Sequence, residues 1–353
     1  MHGSLPLELE YQIRAKRPSR RGEKRERILL VALAVWILLS NHSVALCNEK
    51  VWPDPPDTAR IRYETSIYNS ADIGVTRSIF SKIIDFVTSR DVQDGILLRP
   101  QGMFVDEHGK IYVTDQGAKC LHIFDPGLQK YVRIDHAQDT HFRSPVDVAV
   151  SSDKKIFITD SQLRKVFVFD EKGKYLFVIK GYFERPTGID IFSDIVIVTD
   201  TGSHKVMSFS TDGILLSEHG SRGANDGYFN YPTHISSNEN IYITDAVNFR
   251  IQVFDSDFHH ISTIGEQGDV QGSFSRPKGV AIDSDHNIYV TDGLMDVIQI
   301  FNKSGQLLLV VGGSGAESGS FNMPGDIHID QNNRIYVADT LNGRIQIFQY
   351  LEY

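Results

Sequence analysis

Six prolines recur along the chain, at Pro100, Pro145, Pro186, Pro232, Pro277 and Pro324, and the residue two places after each reads Gly102, Asp147, Gly188, His234, Gly279 and Asp326. Every second copy therefore carries a side chain able to bind a proton or a cation. Two carboxylates and one imidazole are donors suited to a divalent ion such as Ca²⁺ or Zn²⁺, with waters completing the shell. The same three groups can equally hydrogen-bond backbone amides and water at a channel mouth. No ligand-spacing rule separates these two readings, and both need one scaffold to bring residues 147, 234 and 326 together.

The scaffold is a repeat. "IYVTDQGAKCLHIFD" (111 to 125) returns as "IFITDSQLRKVFVFD", "VIVTDTGSHKVMSFS", "IYITDAVNFRIQVFD", "IYVTDGLMDVIQIFN" and "IYVADTLNGRIQIFQ". The acidic anchors, Asp115, Asp160, Asp200, Asp245, Asp292 and Asp339, are spaced by 45, 40, 45, 47 and 47 residues. Nine residues after each stands a phenylalanine, from Phe124 to Phe348. A constant inner spacing inside a variable period describes one structural unit joined by variable loops, and a period of this size suits four short strands per unit. The proline opens the first strand, where a missing N–H does no harm. The following runs, such as "NIYVTD", "VIQIFN" and "QLLLVVG", are rich in β-branched and aromatic residues and almost unbroken in apolar character. Such runs call for burial on both faces, as in a sheet stacked between two others.

Six units of this kind close radially into an all-β, six-bladed β-propeller. The sixth unit shows three strands, and 78–90, "SIFSKIIDFVTSR", reads as a lone fourth strand. The expectation is that this N-terminal piece completes the last blade and latches the ring, leaving no open edge. The domains then run 1–46 for a signal peptide or anchor, 47–77 for a proline-rich linker and 78–353 for the ring. The first strand is innermost in such a ring, so Asp147, His234 and Asp326 are expected to point to the axis with near three-fold spacing.

The proline-glycine start, the "YVTD" second strand, the "RIQVF" third strand and the Gly-x-Phe loop resemble NHL-repeat propellers over about residues 78–353. "WPDPPDTARIRY" resembles the start of exported, often lipid-anchored, bacterial members. The resemblance extends loosely to the peptide-amidating lyase, which implies a metal held at the axis by several histidines, and to lactonase-like propellers, which implies a central Ca²⁺. Here His234 alone occupies an axis-facing histidine position, while Asp147 and Asp326 suit calcium.

The proline segments and the aspartate turns share one rim, and loops on a rigid scaffold usually carry function. The six aspartates are expected to be structural turn clamps, each accepting turn N–H groups. Four have a cation five residues on, at Lys165, Lys205, Arg250 and Arg344. Rim candidates for binding a peptide or sugar are Tyr228, Tyr231 and His204. Cys120, near the start of a third strand, is expected to be a buried free thiol.

A basic stretch, "RAKRPSRRGEKRER", precedes the apolar "ILLVALAVWILL" at 28–39. This is a signal-peptide pattern. Cleavage after Ala45, retention of 28–47 as an anchor, and lipidation at Cys47 remain alternatives, and all place the ring outside the cytoplasm, in the periplasm or at the cell surface. Residues 51–353 carry 27 basic and 40 acidic side chains, 27 − 40 = −13. That field excludes nucleic acid as the expected partner. No nucleophile–base constellation, phosphate-cradling loop or paired-carboxylate cleft can be argued from spacing. The sequence therefore points to a monomeric ring, membrane-associated through its N-terminal segment, that binds an envelope protein or a small ligand. The alternative is a metal-dependent lyase or lactonase-like hydrolase working at the channel mouth.

Overall fold

Six antiparallel sheets, five of four strands and one of five, stand around an axis in a computed structural model that describes residues 50–75 and 95–351. Blade five is representative, with strands Pro277–Ile282, Ile288–Asp292, Val297–Phe301 and Leu307–Gly312 ordered from the axis outward. Its two middle strands are buried at every position, whereas the outermost buries only Val311. That is the burial expected of a sheet covered on both faces and wetted only at its outer edge.

The core is not one mass but six layers, one in each gap between neighbouring blades. Tyr242, Ile251 and Val253 of blade four meet Val280, Ile288 and Phe301 of blade five, for example. The layer that closes the ring joins Ile345 and Ile347 of blade six to Met103, Val113 and Phe124 of blade one. A ring with all six gaps filled has no exposed sheet face to bind elsewhere.

The ring is latched by an N-terminal strand, as the repeat count requires, but the strand is Ile61–Ile67. It pairs antiparallel with Arg344–Tyr350 from Ile61↔Tyr350 to Ile67↔Ile345, and Val51–Trp52 adds a short fifth strand outside it. Trp52 packs edge-on against Phe348 at 5.7 Å. The segment 78–90, expected in this role, lies outside the described residues, as do 1–49 with Ala45 and Cys47. The stretch 47–77, expected to be only a spacer, thus supplies ring strands. The physical reason is that an outer blade strand buries little. In "IRYETSI" only Ile61 and Ile67 are buried, and a bulge between Tyr63 and Thr65 breaks the alternation. No helix among the described residues is long and apolar enough to cross a membrane.

Candidate functional site

At the strand ends the six aspartates hold the loop that leads into each proline. In blade one the Asp115 carboxylate accepts N–H groups from Leu98 at 2.6 Å, Arg99 at 3.0 Å and, in its own turn, Ala118 at 2.8 Å. Asp160, Asp200 and Asp292 repeat this arrangement with Arg143, Glu184 and Ser275 among their donors. Blades four and six keep one loop amide each, from Asn230 at 2.6 Å and Asn322 at 2.8 Å, and add side chains: Asp245 takes Arg250 Nε at 2.9 Å and Asp339 takes Arg344 Nε at 2.7 Å, each joined by an asparagine and a glutamine. The cation expected beside the aspartate is absent from the other two copies. Lys205 pairs with Glu218 at 2.7 Å instead, and Lys165 lies over the Phe167 ring. A lysine on the strand edge is long enough to reach outward, where its ammonium keeps its water.

These clamps fix the inner strands around a funnel of about 570 Å³ with residues from all six blades in its wall. Asp147, His234 and Asp326 meet at its floor, one ligand-type atom of each lying within 4.8 Å of the others. His234 Nε2 is 2.5 Å from Asp326 Oδ1 and 4.0 Å from Asp147 Oδ2. The alternation with glycine has a direct cause. A Cβ on Gly102 would lie 2.5 Å from the Asp147 Cα, one on Gly188 2.7 Å from the His234 Cα, and one on Gly279 2.8 Å from the Asp326 Cα. Each even blade leans over the glycine of the odd blade before it, and its side chain reaches the odd blade after it. Asp147 Oδ2 accepts the Ile189 N–H at 2.9 Å, His234 Nδ1 faces the Val280 N–H at 3.3 Å, and Asp326 Oδ2 accepts the Met103 N–H at 2.7 Å. The remaining carboxylate oxygens accept their own next amides, Val148 at 2.8 Å and Ile327 at 2.6 Å.

Burial and the neighbouring Asp326 charge push the Asp147 carboxyl well above the usual carboxylate range. Burial alone would lower the His234 imidazole, but the contact with Asp326, with Asp147 behind it, lifts it to about 9. An imidazolium has no lone pair for the Val280 amide, and that approach is the longest of the three amide contacts. The short Asp326 contact decides in favour of the charged form. Two residues past Gly188 on the same inner strand, Asp190 is partly buried and bonded to Ser237 Oγ, and desolvation raises it to about 6.

Stability should therefore fall on the alkaline side. An unfolded histidine ionises near 6.5, so the folded chain holds the extra proton between 6.5 and about 9. The contribution is complete below pH 6.5 and disappears as pH rises through 9. Urea midpoints at pH 6.5 and 9 should differ in the wild type and much less in His234→Gln; equal slopes would show that His234 is not the group.

The three side chains include donors a divalent ion uses, but their spacing as built fits a proton better. Two donors on a zinc at about 2.1 Å stand roughly 3.4 Å apart in tetrahedral geometry, whereas His234 and Asp326 are at 2.5 Å. All four carboxylate oxygens already accept amides. A metal would have to open this contact and take over those bonds.

Of the rim residues, Tyr231 lines the funnel and is exposed, as is Tyr228 outside it. His204 is buried beneath Tyr231, with the rings 4.6 Å apart and Nδ1 accepting the Tyr231 N–H at 3.1 Å. Cys120 is fully buried with Sγ 3.2 Å from His122 Nε2. Burial pushes this thiol up to about 12 and keeps it from acting as a nucleophile.

Two features escaped the sequence reading. The residue before each proline alternates as well, Arg99, Arg185 and Arg276 against Ser144, Tyr231 and Met323, and all six line the funnel. Three Arg-Pro dipeptides were the available signal. A second group, Asp135, His136 and His141, gathers where His136 faces His141 across a two-residue ribbon.

Fold and sequence comparison converge on one class: the chain is a six-bladed β-propeller. Residues 130–221 match a family model described as a 6-bladed beta-propeller. It carries NHL repeats, with 321–348 matching the NHL repeat model. A probable peptidyl-alpha-hydroxyglycine alpha-amidating lyase of Caenorhabditis elegans is 27% identical over 191 residues, 48% of this chain and 53% of that protein. The human E3 ubiquitin-protein ligase NHLRC1 is 34% identical over 112 residues, 30% of this chain and 28% of that protein. The chain thus spans about half or less of these relatives. A streptogramin B lyase structure superposes with a TM-score of 0.56 at 13% identity, covering 72% of this chain and 94% of that one, which shows the fold.

Proposed function

We propose that the chain is a binding module, a propeller that presents its axial funnel and rim to a small ligand or to a segment of another protein, outside the cytoplasm and tied to the membrane by its N-terminal segment. The observation that carries this reading is the funnel itself. A concave site of about 570 Å³ opens over a floor whose polar groups are already used by the scaffold. Such a volume suits a ligand of drug-like size. The signal-type pattern at 14–39 supports the location. The relatives, a probable lyase and a ubiquitin ligase, leave both catalysis and protein binding compatible with an NHL-type propeller.

A metal-dependent lyase or hydrolase is the second reading, favoured by the convergence of Asp147, His234 and Asp326 and by the likeness to the amidating lyase. In that case Ca²⁺ or Zn²⁺ would sit on those three side chains and act as a Lewis acid.

The test is a small-molecule binding screen by native mass spectrometry on the full chain and on Ser144→Trp, which places an indole in the funnel wall. Ligands lost in the variant support the funnel as the site. Ligands retained unchanged place binding elsewhere and contradict the reading.

A further inference from the structure

The walls above the floor carry a charge pattern that the floor does not explain. Arg99, Arg185 and Arg276 come from blades one, three and five, and all three are exposed. None of their guanidinium groups has a hydrogen-bond or ion-pair partner among the described residues. Lys278, two residues after Arg276, is partly buried in the same wall and its ammonium has none either. Its stem runs close over Gly293, where a Cβ would come within 3.3 Å of its Cγ. Burial, with Arg276 and Arg99 adding like charge, pulls the Lys278 ammonium down to about 8. Four cations thus face one opening in a chain whose residues 51–353 are net −13.

The floor does not neutralise them. Both carboxylates there are engaged by amides, and one contacts His234. Uncompensated like charge held around a concavity is a cost that a bound anion removes. Guanidinium forks match the planar or tetrahedral oxygens of carboxylate and phosphate. Blade four offers a different surface, with Tyr231 and Val247 exposed and Phe249 beside them. Thr233 Oγ1, on the blade-four inner strand, is buried without a hydrogen-bond partner.

We propose that the funnel takes a small organic anion with one apolar end, its carboxylate or phosphate held by Arg99, Arg276 and Lys278 and its aromatic or aliphatic end against Tyr231, Val247 and Phe249. This rests on the funnel being the binding site and names the ligand class. Lys278 gains its missing counter-charge. The volume admits a molecule of this size, whereas a flat nucleic-acid track would use cations spread along the rim rather than gathered over a hole.

The experiment is calorimetric titration of the full chain at low salt with phenylphosphate, phenylacetate, the uncharged 2-phenylethanol and, as a nucleic-acid probe, oligouridylate. Wild type is compared with Arg276→Gln, Lys278→Met, Ser144→Trp and Lys303→Gln, the last an exposed cation outside the funnel, and circular dichroism melts establish that each variant folds. At least one anion should bind more tightly than the alcohol and lose about tenfold or more in Arg276→Gln and Lys278→Met, roughly what one charged hydrogen bond is worth. Lys303→Gln should change nothing. The tighter of the two anions distinguishes phosphate from carboxylate. If the alcohol binds as well as the anions and Ser144→Trp abolishes both, the funnel stands as the site and the anion class is overturned. If binding survives Ser144→Trp or no small probe binds at all, the funnel reading falls and the proposal with it. A response to oligouridylate alone overturns the proposal in favour of a nucleic-acid surface.

Discussion

Gly102→Ala is expected to cost on the order of 3 kcal/mol or more, read as a lowered urea midpoint with an unchanged slope. The new methyl would stand 2.5 Å from both the Asp147 Cα and the Val146 carbonyl oxygen. These are backbone atoms of the next blade, and they cannot swing aside as a flexible side chain would. Blade two would have to move off blade one, which opens an inter-blade apolar layer and pulls Asp147 from the Ile189 amide. Gly127→Ala is the matched control. Its methyl would meet nothing nearer than 3.6 Å, and the change should stay within about 0.5 kcal/mol of wild type. Equal effects at the two positions would mean that the blades do not lean on one another as described.

The second large effect is expected from Arg344→Met, at about 3–5 kcal/mol, because it leaves the Asp339 carboxylate buried with its charge partner removed. Arg344 is 1% exposed and gives Nε to Asp339 at 2.7 Å, one terminal nitrogen to the Glu317 and Ser320 carbonyls, and the other to the Tyr68 hydroxyl at 3.0 Å. Tyr68 follows directly on the closing strand, so this one side chain ties the turn clamp, the blade-six loop and the latch together. Lys205→Met removes the equivalent residue of blade three, five places after its aspartate. Its partner Glu218 is at the surface, and the loss should not exceed about 0.5 kcal/mol. Denaturant unfolding of the two variants side by side checks the contrast, and a loss at Lys205 as large as at Arg344 would refute it.

That contrast also shows where sequence reasoning reaches and where it stops. The repeat fixed the blades because a two-sided buried strand has a strong, regular apolar signature, as in "IYVTD" and "RIQVF". It also placed Asp147, His234 and Asp326 on equivalent inner-strand positions. It could not find the latch. "IRYETSI" buries two of seven side chains, whereas "SIFSKIIDFVTSR" looks more like a strand because it is more apolar. Nor could spacing distinguish Arg344 from Lys205, since the same offset reaches a buried carboxylate with a guanidinium fork and a surface glutamate with a lysine. The funnel arginines were visible as three Arg-Pro dipeptides. Their meaning appears only when alternate blades are seen to stand around one opening. The glycines between the polar floor residues are in the same position, since their cause is the neighbouring blade's backbone.

The central claim is that Asp147, His234 and Asp326 form a scaffold floor closed by a proton and by amides, with the ligand site in the funnel above. Elemental analysis of the purified full chain tests it most directly, alongside Asp147→Ala, His234→Ala and Asp326→Ala and with melting curves in Ca²⁺, Zn²⁺ and Mn²⁺. The account predicts no stoichiometric metal in the wild type and no melting shift with any of the three ions. One equivalent of metal in the wild type, lost in all three variants, would contradict it and move the chain to the metal-dependent enzymes.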